Sequence, residues 1–249
     1  SLLLSLFTSL SLLYFSPSLP LSFFPLSNPL YPMLKHFDRE VEKLHRHLIA
    51  QTDRICHNAR IVLLFDAAAG DYIDDKTIDR SEVEIEEDCL KIIALHQPVA
   101  DDLRFLTTII KTNYNFERMG DLLENLHDLH LNTEQIDQDL GGTPGVYAKF
   151  LANVEASVRQ ASMSLAKRDG LLAREIWKNN KLMDREAYAM VDAFRARLLD
   201  APATPALLDG LLSIRYAKRI ADNAANVAKE MLYLQSGEIV RHRSKEILG

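Results

Sequence analysis

Cysteine is scarce in this chain of 249 residues: Cys56 and Cys89 stand alone, with no CxxC and no His–Cys spacing. That excludes a disulfide-built scaffold and a zinc-finger centre, and leaves two small side chains expected as free thiols in a reducing cytosol. Cations are in deficit as well, with 29 Lys and Arg against 35 Asp and Glu and a formal charge of −6. A nucleic-acid binder needs a basic face to displace counterions, and no run of Lys or Arg here would hold an anionic membrane surface. A Gly-rich phosphate loop and a GxSxG turn are both missing, so phosphoryl transfer and serine hydrolysis have no starting point. The histidines at 36, 45, 47, 57, 96, 127, 130 and 242 fall mostly on polar faces and read as solvated, and Trp177 reads as packing.

What remains is ordinary for a globular protein: 26% charged and 47% hydrophobic residues, enough chain for one large or two small domains. Residues 1–32 stand apart. They carry no charge and five of the nine prolines, without a basic n-region or a small-residue cleavage site. The apolar run before Pro17 is short for a membrane span of about 20 residues. We expect a disordered apolar leader ahead of Met33, arising from upstream translation or a mis-assigned start rather than from targeting.

From His36 onward β-branched alternation is almost absent and the period is helical. Phe37, Val41, Leu44, Leu48, Ile55 and Val62 form the stripe of a long first helix, with Gly70 as its break. A second helix is predicted over about 72–95, ended by Pro98, and a third over about 99–131. Gly141, Gly142, Pro144 and Gly145 make one clear linker. Helices then recur over about 146–167, 171–199 and 206–235, with Pro202 and Pro205 before the last. Aligning FERMGD with AKRIAD gives one spacing, 101 residues, from Glu117 to Lys218 and from Asp121 to Asp222. The expected fold is all-α: two tandem three-helix bundles related by internal duplication, at 33–140 and 141–249.

The chemistry concentrates in carboxylates. Glu117 and Asp121 are spaced i, i+4 and share a helix face with Leu103, Leu106 and Ile110, the side expected to meet the core. Carboxylates on such a face are costly unless a cation neutralises them. On the second helix Asp75 and Glu82 lie seven residues apart on the stripe of Ile78, Ile85 and Cys89. They are about 10 Å apart along the axis, so each would touch a different ion in a row between the helices. Asp79 and Glu86 sit at the edge of that face; Asp79 could join, although a solvated carboxylate is the simpler reading. Oxygen ligation suits Mg, Ca or Mn and tolerates Fe or Zn.

The ordered set Gln97, Pro98, Ala100, Asp102, Leu103 and Arg104, followed by Glu117, Arg118, Gly120 and Asp121, resembles the PhoU family. The likeness runs from about Met33 to His242, including a closing GEIVRH. It implies a metal-binding ERxGD segment, with acidic residues recurring at the positions of Asp75 and Glu82. It also implies a cytoplasmic, often dimeric regulator of phosphate uptake that damps the phosphate-starvation response and is not an enzyme. Its implied partners are the phosphate transporter's ATPase subunit and the sensor histidine kinase, which alone would bring it near a membrane.

The second repeat departs from that pattern. Lys218 replaces Glu, Ala221 replaces Gly, and Asn180 and Ala187 stand where the first repeat has Asp75 and Glu82. A single surviving carboxylate, Asp222, is expected to hold a dication poorly. Lys218, four residues before it, could fill the ion's space with its ammonium. A rival reading starts from Glu42-x-x-His45 and Glu124-x-x-His127, the ExxH spacing of di-iron carboxylate oxidases. It requires two further helices each offering an inner Glu, and it leaves the duplication unexplained.

Overall fold

The first described helix, α1, spans Tyr31–Leu64, and its core-facing side carries Leu44, Leu48, Ile55 and Val62 with buried Gln51, Thr52 and Asn58 among them. The computed structural model describes residues 31–66, 75–129, 131–200, 202 and 204–237, so the expectations for residues 1–30 and for the break at Gly70 lie outside the described residues. Six more helices follow: α2 Asp75–His96, α3 Ala100–His127, α4 Thr133–Asp139, α5 Val146–Lys167, α6 Gly170–Asp200 and α7 Pro205–Ser236. Among the described residues every regular element is a helix, as the periodicity predicts.

The ends of these helices follow from local chemistry. Thr204 accepts the Leu207 amide at 3.2 Å and Pro205 opens α7, where its missing N–H costs nothing. Gly237 closes the same helix at φ +70°, donating to Tyr233 at 2.9 Å. Asp169 caps α6 through the amides of Leu171 and Leu172, at 2.9 and 3.0 Å. The turn between α2 and α3 places Gln97 and Ala100 at φ +47° and +49°, so two residues of the QPVA stretch bear left-handed strain.

The seven-residue helix α4 departs from the expected third helix, which was to run on to 131; the chain turns at Asp128 and caps a new helix with Asn132. Its buried Asp137 accepts from the amides of Gly145 and Tyr147, at 2.6 and 2.9 Å. The glycine-rich linker is therefore clamped to the helix before it.

Helices α1, α2 and α3 pack on one another, and so do α5, α6 and α7. The two sets also join directly, α1 against α5 and α3 against α7, so one apolar core runs through both. Small residues on α7, among them Ala217, Ala221, Ala224 and Ala228, let the axes come close. The seam between the sets carries Thr52 Oγ1 and Ser162 Oγ at 2.9 Å, and Lys111 Nζ donating to Glu230 at 3.1 Å. Helix α2 packs only within its own set, burying Ile78, Ser81, Ile85, Cys89 and Ile92 and turning its other faces outward. That outer position brings one edge of α2 beside α3.

Candidate metal site

The seam between α2 and α3 is held by its backbone. Asn113 Nδ2 donates to the Glu82 carbonyl at 2.9 Å, fixing the register of the two helices. Gly120 faces Ile78; a Cβ there would sit 3.3 Å from Ile78 Cγ2 and 3.8 Å from Asp75 Oδ1. The missing side chain thus leaves room beside a carboxylate.

Into that seam project Asp75 and Asp79 from α2 and Asp121 from α3, one oxygen of each lying within 4.8 Å of the others. Asp79, taken from the sequence as an edge residue, stands inside this group. Glu82 and Glu117 lie outside it, with Glu82 adding to the negative charge around Glu117. Glu124, one turn beyond Gly120, enters the sequence reading only through the ExxH rival, yet its charge bears on Asp75. Its signal was the i, i+3 spacing from Asp121.

The phase expected for α3 is corrected. Leu103 is exposed, and the core stripe runs through Leu106, Ile109, Asn113, Phe116, Gly120 and Leu123. Helix α3 is covered by α1, α2 and α7 at once, so its buried arc is broad, and a stripe drawn through Leu103 and Ile110 follows only its edge. Glu117 and Asp121 therefore line the half-buried flank toward α2, where an ion could reach them from solvent.

Charge in the seam is poorly compensated. Burial, and then Asp79, Glu124 and Asp121, push the Asp75 carboxyl up to about 6. Burial and the adjacent Asp121 push Glu117 up to about 7, against the pull of Arg118. Glu82 is raised by burial and by Glu86 and Asp79. Arg118 lies against Tyr114 and reaches Asp121 only at 3.8 Å. Asp75 Oδ1 is buried without a hydrogen-bond partner, a free acceptor aimed into the seam. An orphaned carboxylate oxygen among unneutralised carboxylates, with no soft donor nearby, fits a hard divalent cation.

The second repeat fills the corresponding space from within. Lys218 Nζ bonds Asp222, reaches Asp184 at 2.7 Å and lies 3.4 Å from Asn180 Oδ1, while Asn180 Nδ2 donates to Asp222 at 2.9 Å. Asp222 was expected to be its one clear partner. Asp184 is the residue that reading lacked, and it follows Asp79 by 105 residues, as Asn180 follows Asp75. The side chain of Lys218 is 13% exposed, so the ammonium sits where the first repeat gathers carboxylates.

The ExxH residues show no such convergence. Glu42 is exposed and paired with Arg46 on its own helix at 2.6 Å. Among the described residues, neither group of three ligating side chains contains Glu42, His45, Glu124 or His127.

Comparison with known proteins agrees with this architecture. A family model described as "PhoU domain" matches residues 66–129 and again 148–231. The chain is 29% identical over 219 residues to the phosphate-specific transport system accessory protein PhoU homolog of Pseudomonas aeruginosa, covering 84% of this chain and 88% of that protein. It is 33% identical over 171 residues to the homolog of the same description from Aquifex aeolicus, covering 68% and 76%. The crystal structure of PhoU from P. aeruginosa superposes with a TM-score of 0.69 at 26% identity, covering 81% of this chain and all of that one. That of the phosphate transport system regulatory protein PhoU from Streptococcus pneumoniae gives 0.68 at 22% identity, a likeness of fold.

Proposed function

The chain belongs to the PhoU family, and from that premise we propose that it is a metal-binding negative regulator of phosphate uptake and of the phosphate-starvation response. It works by contact and not by catalysis. The first repeat, residues 33–140, carries the metal; the second, 141–249, carries an ammonium in its place. Asp75, Asp79 and Asp121 are the ligands, with Glu117 and Glu82 available to a second ion along the seam. The metal is divalent or iron-type, from among Mg, Mn, Fe and Zn. Bound there, it neutralises the seam and ties α2 to α3. The partners are the phosphate transporter's ATPase subunit and the sensor histidine kinase, met in the cytoplasm by a homodimer. No described helix is long and apolar enough to cross a membrane.

The observation that carries the metal half of this reading is the contrast between repeats: three converging carboxylates in one, Lys218 among Asp184, Asp222 and Asn180 in the other. The regulatory half rests on the family match across both bundles. Deleting the gene should raise starvation-gene expression in phosphate-rich medium, and residues 33–249 expressed in its place should restore repression. An unchanged response in a host with no second copy would sink the regulatory reading.

A further inference from the structure

At the opposite end of α2 from the acidic seam, the chain brings together donors of a different kind. His36 and Glu40 are one turn apart on α1, and His96 is the last residue of α2. Glu40 Oε2 lies 3.3 Å from His36 Nδ1 and 2.7 Å from His96 Nε2. The three ligating atoms fall within 4.8 Å of one another. The rings of His36 and His96 are 5.6 Å apart, and Phe37 sets its edge against His96 at 5.3 Å. His96 is 10% exposed and Glu40 24%, whereas His36 is 57% exposed, leaving the group closed toward the protein and open toward water.

We propose that His36, Glu40 and His96 form a transition-metal site that takes Zn(II), with water completing the shell on the open side. The donor set decides the class of ion. Two imidazoles and one carboxylate suit zinc and its neighbours, whereas magnesium and calcium prefer oxygen alone. The geometry is close to what zinc needs. Bonds near 2.0–2.1 Å place tetrahedral donors about 3.3 Å apart. One of the three pairs already stands at that separation, a second must open by roughly 0.6 Å as a hydrogen bond gives way to two bonds to metal, and the two histidine nitrogens lie within 4.8 Å of each other. The site is distinct from the seam, since the full 22 residues of α2 from Asp75 to His96 amount to roughly 30 Å of helix. Before Leu44, α1 is held to the core by half-buried Phe37 and Val41. A metal at His36 would pin this stretch to the corner between α2 and α3, where Gln97 and Ala100 carry the strained backbone.

The test is a titration of the full chain, stripped with chelator, with Co(II) as a spectroscopic stand-in for zinc. Imidazole-bound tetrahedral cobalt absorbs strongly in the visible; cobalt surrounded by six oxygens absorbs weakly. The expected result is a strong band saturating at one cobalt per chain and abolished by Zn(II). His36→Ala should remove the band with far-ultraviolet circular dichroism unchanged, because that side chain is exposed. His96→Ala should weaken binding at least about tenfold. Asp75→Asn with Asp121→Asn should leave the band in place. Only weak absorption overturns the proposal, as does a strong band that survives His36→Ala or disappears with Asp75→Asn and Asp121→Asn.

Discussion

If an ammonium replaces a metal in the second repeat, removing its carboxylates together should cost far more than removing either one. Lys218 is 13% exposed, while Asp184 and Asp222 are 45% and 49% exposed. Asp222→Ala leaves the contact with Asp184 at 2.7 Å, so the charge stays paired and the loss should be about 1 kcal/mol. Asp184→Ala leaves Asp222, itself held by Asn180, and should cost about the same. The double variant strands the cation near the core. A fully buried charge left unpaired costs about 3–5 kcal/mol, and partial solvent access at Lys218 lowers this to about 2–4. Lys218→Met removes the charge and keeps the stem; its two former partners turn to water, for about 1 kcal/mol. Adding Lys218→Met to the double variant should therefore recover most of the lost stability. Urea unfolding with a common slope measures the wild type and all five variants. If the double variant unfolds at the wild-type midpoint, or if Lys218→Met fails to rescue it, Lys218 is not a substitute for an ion.

The metal-free first repeat should respond to pH in the opposite sense from an ion-paired surface. Asp75 and Glu117 are raised in the folded state to about 6 and about 7, so the fold binds extra protons and is stabilised at low pH. That contribution is lost as pH rises from about 4 through about 7, and screening holds it near 1 kcal/mol per group. Comparing wild type with Asp75→Asn/Glu117→Gln across this window isolates it; parallel profiles would refute it. Added divalent metal should reverse the trend, binding more tightly as the carboxyls release protons. Gly237→Ala should cost about 1–2 kcal/mol, because φ is +70° and a Cβ would press on the Arg104 guanidinium at 3.1 Å; an unchanged melting temperature would contradict this. Lys218→Glu, beside Asp184 and Asp222, should create a metal site in the second repeat that calorimetry detects as added stoichiometry, and no gain would show that Asn180 and Ala187 leave too little charge.

Periodicity located the helices well where apolar stripes were long. The span 146–167 emerges as α5 because Gly145 and the left-handed Arg168 bound it tightly. Helix α4 escaped notice because seven polar-rich residues with one core anchor, Ile136, carry no periodic signal. The duplication was visible in the 101-residue spacing, but the matching spacing of 105 on α2 and α6 was followed only at Asn180 and Ala187, and so passed over Asp184. Leu103 was misplaced because a helix covered on three sides has no single stripe. His36, Glu40 and His96 could not be joined from sequence, since their meeting depends on how α1 crosses the end of α2.

One repeat holds a cation from solution while the other holds its own. Mn(II) tests this most directly, because carboxylate oxygens take it more readily than imidazole-rich sites do. Stoichiometry should be measured by calorimetry on the chelator-stripped full chain and on Asp75→Asn with Asp121→Asn. Tight binding is expected in the wild type, with its loss in the double variant at unchanged helicity, and no change in Mn(II) uptake with Asp222→Ala. Mn(II) retained after Asp75→Asn and Asp121→Asn, or lost with Asp222→Ala, would contradict this.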